Sequence, residues 1–373
     1  MELPPFRLER FFARHEFAVA HLLCASDCES VTVAELLALE TGAAETFAEL
    51  SLGYTESAGH PDLRREIAGL YQGIDPEEVR VFSGGEEAIF ALAQSALRPG
   101  EPVVVHFPSY PSLHEVARAR GCRVKLWRGR EEEGWSLDLR TLSTVARGGT
   151  LILNTPHNPT GHVLGPSELA DLAEVAREDG LRLVVDEAYR FLEYDPADRP
   201  AAGCELDDRA VSLGVLSKSF GLAGLRVGWV ASHDGELLER LGEVRDYLTI
   251  CSSAPSELLA AIALRHREEL VARNLGIVRE NLERLTAFMD RWAGRFEWVP
   301  PRGGPVAYPA LVGTEGANRF CRRALEGCGV LLLPGSVFDE GDHRHFRIGF
   351  GRRGFRAGLE KLEEWLEEDG RGG

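Results

Sequence analysis

The chain's 373 residues are enough for one large domain and a smaller one, and 44% apolar with 27% charged residues is ordinary for a soluble globular protein. A formal net charge of −17 opposes a nucleic-acid role, because phosphate binding needs a basic surface. No apolar run approaches the ~20 residues of a membrane span.

The opening segment MELPPFRLERFF carries charge where a secretory signal would be apolar. It is followed by His15, His21, Cys24 and Cys28, a spacing looser than that of zinc ligands. We read that stretch as an amphipathic helix and expect no metal. The seven cysteines are odd in number and include no Cys-x-x-Cys pair, so free thiols in a reducing cytoplasm are expected. Thr32-x-x-Glu35 ahead of Leu36-Leu37 has the form of a helix capping box.

From about residue 79 to 232, short β-branched runs alternate with helical stretches. Strands are predicted at Val79–Phe82, Val103–Phe107, Arg123–Trp127, Thr150–Asn154, Leu181–Val185, Ala210–Leu216 and Arg226–Ala231. Helices are predicted at Glu86–Leu97, Ser112–Arg120 and Ser167–Asp179. Several strands are apolar without alternation, as strands covered on both faces are. The pattern predicts an α/β fold around a mostly parallel, doubly wound sheet, with ligands beyond the carboxyl ends of its strands. After about residue 255, Leu275, Val278, Leu282, Leu285, Met289 and Trp292 recur at three and four, the apolar stripe of one long helix. Short strands and a C-terminal amphipathic helix follow, then a Gly/Arg tail. We expect a large domain over residues 46–250 and a smaller α+β domain from 1–45 with 251–373.

Chemistry concentrates at the strand ends. Only three lysines occur, Lys125, Lys218 and Lys361. Lys218 follows the apolar run Ala210–Leu216, where partial burial would make a usable nucleophile, whereas Lys125 and Lys361 read as solvent-facing. Arg226, eight residues on, is placed at the start of the next strand and offers a planar fork for a phosphate. Ser83-Gly84-Gly85-Glu86 lies between a strand and a helix, where glycines let the backbone approach an anion and the helix N-terminus donates N–H groups. Asn158-Pro159-Thr160-Gly161 and Asp186-Glu187-Ala188-Tyr189 each follow a strand as well.

The run Ser217-Lys218-Ser219-Phe220-Gly221-Leu222-Ala223-Gly224-Leu225-Arg226-Val227-Gly228-Trp229 resembles the cofactor-lysine motif of class I/II aminotransferases, the pyridoxal 5′-phosphate (PLP) enzymes of fold type I. The likeness is nearest the aspartate and histidinol-phosphate aminotransferase style, and its motifs keep the family's order from about Tyr54 to Arg347. It implies that Lys218 carries PLP as a Schiff base and later moves the substrate's α-proton. It implies that Asp186 pairs with the ring nitrogen, which makes the ring an electron sink, and that Asn158 and Tyr189 bond the phenolic oxygen. Gly84, Gly85, Glu86, Ser217 and Arg226 are implied to form the phosphate cup, with the Glu86 side chain expected to point away. Tyr110 is implied to stack on the ring, and Arg347 to clamp the substrate carboxylate, with Asn158 at its side. Tyr54 is implied to reach the phosphate of a neighbouring subunit, which predicts a homodimer with shared active sites. The reaction implied is transfer of an amino group from an amino acid to a 2-oxo acid.

The segment Cys24–Val31, the stretch Cys251-Ser252-Ser253-Ala254-Pro255 and the ending from Leu332 through Arg352 also resemble a capreomycidine-synthase-like branch, which implies elimination or cyclisation as an alternative. A non-catalytic PLP-binding regulatory domain, the remaining alternative, would bring a basic DNA-binding face that this composition opposes.

Overall fold

The computed structural model describes residues 2–145 and 147–369; the Gly/Arg tail lies outside the described residues. Seven strands form the central sheet: β1 (Val79–Phe82), β2 (Pro102–Phe107), β3 (Arg123–Arg128), β4 (Gly149–Asn154), β5 (Leu181–Asp186), β6 (Val211–Val215) and β7 (Gly228–Ala231). Their order is β1-β7-β6-β5-β4-β2-β3, parallel except for β7, which runs antiparallel to both of its neighbours. The Val- and Leu-rich runs are buried on both faces, consistent with their lack of alternation. Each predicted strand is present to within a residue or two.

One boundary needs correction. Arg226 does not open the last strand, which starts at Gly228. It ends a 3₁₀ turn, Ala223–Leu225, in a left-handed conformation (φ 53°, ψ 51°) that is costly for a residue with a Cβ.

Helix α1 (Arg7–His15) lies at the N-terminus and α2 (Gly85–Ala96) follows β1. Helices Ser112–Ala119 and Pro166–Glu178 follow β2 and β4 as predicted. The amphipathic reading of His15–Cys28 is also corrected: the helix stops at His15, and His21–Leu22 pairs in parallel with Val330–Leu331. Cys24 and Cys28 are buried in separate apolar clusters, and burial pushes both thiols up to about 12. Thr32 and Glu35 complete the predicted capping box.

A second layer forms around α3 (Arg267–Arg291), whose Val278, Leu285, Phe288 and Met289 are buried with Leu275, Leu282 and Trp292 packed alongside. Against it sit the C-terminal helix Phe355–Asp369 and a small antiparallel sheet of β8 (Val306–Ala307), β9 (Leu333–Pro334) and β10 (Phe346–Gly349), ordered β8-β10-β9. Leu36 and Ala43 share an apolar cluster with Val79, Val81 and Trp229 of the central sheet and with Leu259 to Leu264. Among the described residues no helix is long and apolar enough to cross a membrane.

Candidate active site

The parallel strands end side by side, and the last residues of β4 and β5, Asn154 and Asp186, are direct neighbours in register. Beyond these ends lies a cavity of 410 Å³. Of the residues singled out above, Gly85, Glu86, Tyr110, Asn158, Asp186, Tyr189, Ser217, Lys218, Arg226 and Arg347 line it.

Gly85 lines the cavity at the N-terminus of α2, with Gly84 just before it as the helix N-cap. Gly84 has φ 95°, and a Cβ there would sit 2.5 Å from the Arg226 Nη2 atom. A Cβ on Gly85 would meet Val215 at 2.6 Å, and one on Gly228 would meet the Gly84–Gly85 backbone at 2.7 Å. The glycines therefore let the Arg226 guanidinium fold onto the turn, beside the free N–H groups that begin α2. Arg226 forms no ion pair among the described residues; its Nη1 donates to the Ala223 carbonyl at 3.1 Å. Its left-handed backbone is what turns the side chain back toward β1.

Lys218 is half-buried and its Nζ donates to Ser26 Oγ at 3.0 Å. Asp186 is buried and accepts from the Ala188 N–H at 3.1 Å. Burial raises its pKa from the ordinary 3.8 to about 6, although Lys218 pulls the other way. Tyr110 packs its ring against Phe6, 5.3 Å between centroids, and donates to Glu9 at 3.3 Å.

Glu86 lines the cavity, but its carboxylate is bonded to Ser112, which is not among the lining residues. The carboxylate accepts from Ser112 Oγ at 2.6 Å, and burial raises its pKa. Tyr54 lies outside the cavity of its own chain and is 89% exposed.

Arg347, on the central strand β10, is 1% exposed. Its Nη1 donates to Asn158 Oδ1 at 2.9 Å and its Nη2 to the Cys24 carbonyl at 2.6 Å. Nε is buried without a partner, and no carboxylate pairs with this guanidinium among the described residues. Phe12 and Phe338 flank it at 6.0 and 5.5 Å from their ring centroids. A buried cation lacking a counter-ion is expensive unless a ligand supplies one.

The sequence reading missed Glu9, Phe12, Glu16, Ser26, Asp27 and Arg352, which also line the cavity. Arg352 and Asp27 form a double hydrogen bond at 3.1 and 2.8 Å. Glu9 and Glu16 form no ion pair among the described residues, and burial raises the pKa of Glu16. No local pattern marks these residues. Asn154 was within reach of the strand-end rule but was read only as strand.

The architecture is that of the PLP-dependent transferases of fold type I. The family model for aminotransferase class I and II matches residues 25–360, and the chain belongs to that family. It is 32% identical to capreomycidine synthase of Streptomyces vinaceus over 99% of this chain and 96% of that protein. A PLP-dependent aminotransferase from Streptococcus suis superposes with TM-score 0.90 at 31% identity, covering 99% of both chains. The PLP-dependent cyclase OrfR superposes with TM-score 0.91 at 33% identity over 99% of this chain and 98% of that one. Pyridoxal 5′-phosphate is the cofactor of this enzyme family, and the residues present fit it. A glycine cup closed to any side chain lies beneath an unpaired arginine, and a primary amine and a buried carboxylate share the same cavity.

Proposed function

We propose that the protein is a PLP-dependent aminotransferase that moves an amino group from an amino acid to a 2-oxo acid. The observation that carries this reading is Arg347, a buried guanidinium without a counter-ion in the cavity that holds Lys218. In this reading Gly84, Gly85, the Glu86 N–H, Ser217 and Arg226 would hold the cofactor phosphate. Tyr110 would cover its ring, Asn158 and Tyr189 would bond its phenolic oxygen, and Asp186 would face its ring nitrogen. When bound, PLP supplies an electron sink for charge that develops at the substrate α-carbon.

The chain's own residues do the rest. Arg347 binds and orients the substrate carboxylate with its free edge, while Asn158 and the Cys24 carbonyl fix the other edge. The Lys218 amine takes the proton from the substrate α-carbon and holds it on Nζ. Phe12 and Phe338 exclude water around Arg347, which strengthens its hold on an anion.

The test is a half-reaction on the purified holoenzyme. An amino acid alone is expected to convert the visible absorption of the bound cofactor to a near-ultraviolet form, and a 2-oxo acid to restore it. Turnover that needs no 2-oxo acid would overturn the transfer reading. Arg347→Lys is expected to raise KM by roughly 30-fold, about 2 kcal/mol, with a smaller change in kcat, because a lysine cannot make the paired contact. Steady-state kinetics with the donor so identified checks this.

A second reading, elimination or ring closure on an amino acid with a cationic side chain, is supported by a separate observation. Glu9 and Glu16 place two carboxylates without ion-pair partners on the α1 side of the cavity, opposite in charge to such a side chain. The near full-length likeness to a synthase and a cyclase agrees with it. Product formed from one amino acid without any 2-oxo acid is its signature.

The functional unit we propose is a two-fold dimer. Leu52, Tyr54, Tyr247 and Ile250 are 82%, 89%, 93% and 52% exposed, and their segments are joined by Ser57 bonding Arg245 and Asp246. A second copy covering them would bring Tyr54 to its partner's cofactor phosphate. We place the enzyme in the cytoplasm.

A further inference from the structure

We propose that Asn154 is a positioning residue that sets the geometry between the two halves of the site. It is the last residue of β4 and is 1% exposed. Its single amide group makes two bonds in opposite directions. Nδ2 donates to the Asp186 carbonyl at 2.9 Å, and Oδ1 accepts from the Asn158 N–H at 2.8 Å.

Each bond leads to a different part of the chemistry. On one side Asp186 is tied through its main chain, with a second bond from the Thr155 N–H at 3.1 Å, so its carboxylate is aimed by a fixed backbone. On the other side Asn158 accepts from Arg347 Nη1, so the Asn158 loop sets where the carboxylate receptor stands. The Asn154 amide thus joins Asp186, Asn158 and Arg347 in one relay of hydrogen bonds.

The residue type follows from the geometry. A planar amide presents a donor and an acceptor from one short stem, and asparagine supplies both without rotating. Aspartate keeps the acceptor for Asn158 but turns an oxygen onto the Asp186 carbonyl. Alanine loses both bonds and leaves a buried N–H unsatisfied. Asn154 lines the cavity, but both ends of its amide are engaged by Asp186 and Asn158, so it acts through these neighbours.

The inference rests on the proposed placement of the cofactor against Asp186 and Asn158, and the test separates the two. On the holoenzyme the pH midpoint of the visible cofactor absorption, KM and kcat are measured for Asn154→Ala, Asn154→Asp, Thr155→Val and Asp186→Asn. Thr155 Oγ accepts from the Leu164 N–H at 3.0 Å, so Thr155→Val costs a buried bond in the same loop without touching the Asn154 amide.

Asn154→Ala is expected to shift the midpoint by about half a unit or more and raise KM about tenfold, the scale of a weakened bond to a charged group. Asn154→Asp is expected to shift the midpoint while KM stays within about threefold, since the bond that carries Asn158 survives. Thr155→Val is expected to lower the melting temperature without either change. If both Asn154 variants keep the parent midpoint and KM while Asp186→Asn moves the midpoint, the positioning role is wrong and the cofactor placement stands. If Asp186→Asn leaves the midpoint in place as well, the placement itself is wrong. Should Asn154→Ala fail to fold, Asn154→Asp, nearly equal in shape, decides the Asp186 arm by its midpoint alone.

Discussion

Lys218→Ala is expected to lower turnover by ~10³-fold or more while leaving a folded protein that still takes up PLP without a covalent link. The other two lysines are exposed, at Lys125 on β3 and Lys361 near the C-terminus, so neither can supply an amine in the cavity. The side chain makes one hydrogen bond, to Ser26 Oγ, from a half-buried position. Its loss should therefore change stability by about 1 kcal/mol or less. The glycine cup and Arg226 do not depend on it, so phosphate anchoring should persist. Steady-state rates beside a spectral titration with PLP separate the two effects. Retained turnover would remove Lys218 from the chemistry, and loss of all PLP uptake would mean that the phosphate cup does not hold the cofactor unaided.

Asp186→Asn is expected to do two opposite things. Turnover should fall by ~10³-fold, because a neutral amide cannot hold a proton on the ring nitrogen and the electron sink weakens. The cofactor-free protein, however, should become more stable at neutral pH. Burial raises the folded-state pKa of Asp186 from 3.8 to about 6. A carboxyl raised in this way contributes stability that is fully present below pH 3.8 and is lost as the pH rises through about 6. Above that pH the buried anion costs about 3 kcal/mol at most, at ~1.4 kcal/mol per unit. Asparagine does not ionise and escapes this cost. The cofactor-free variant should therefore melt higher than the parent at pH 8, with the gap closing toward pH 4. Adding PLP should stabilise the parent more than the variant, because only the parent offers a charge to the ring nitrogen. Melting curves at pH 4 and pH 8, with and without PLP, test the pair of effects. A variant less stable than the parent at pH 8 without cofactor would show that the Asp186 carboxylate is stabilising on its own account, against this reading.

Much of the site was legible because its core is local to strand ends. Asn158, Asp186 and Lys218 each follow an apolar run within a few residues, so recognising the strands also located the residues. Gly84 and Gly85 sit between a strand and a helix for the same reason. The long helix carrying Val278 and Leu285 and the capping box at Thr32 were likewise written in residue spacing.

Other features depended on contacts that spacing does not encode. Ser26 meets Lys218 across 192 residues, and Arg347 meets Asn158 across 189. Glu9 and Glu16 become part of the cavity only because the N-terminal segment folds over it. Arg226 reads as strand because Val227 to Ala231 is an unbroken apolar run, but the close approach of Gly84 demands a left-handed turn there.

By itself, then, the sequence determined the doubly wound sheet, the enzyme family and the residues at the ends of its strands, because periodicity and turn chemistry act over a few residues. Only the tertiary structure decided which charges face one another in the cavity: Arg347 buried without a counter-ion, Asp27 paired with Arg352, Glu9 and Glu16 left without ion-pair partners, and Asn154 bridging Asp186 to Asn158. Those outcomes depend on burial and on distances between segments far apart in the chain, and it is burial that sets what a buried charge costs and which ligand relieves it.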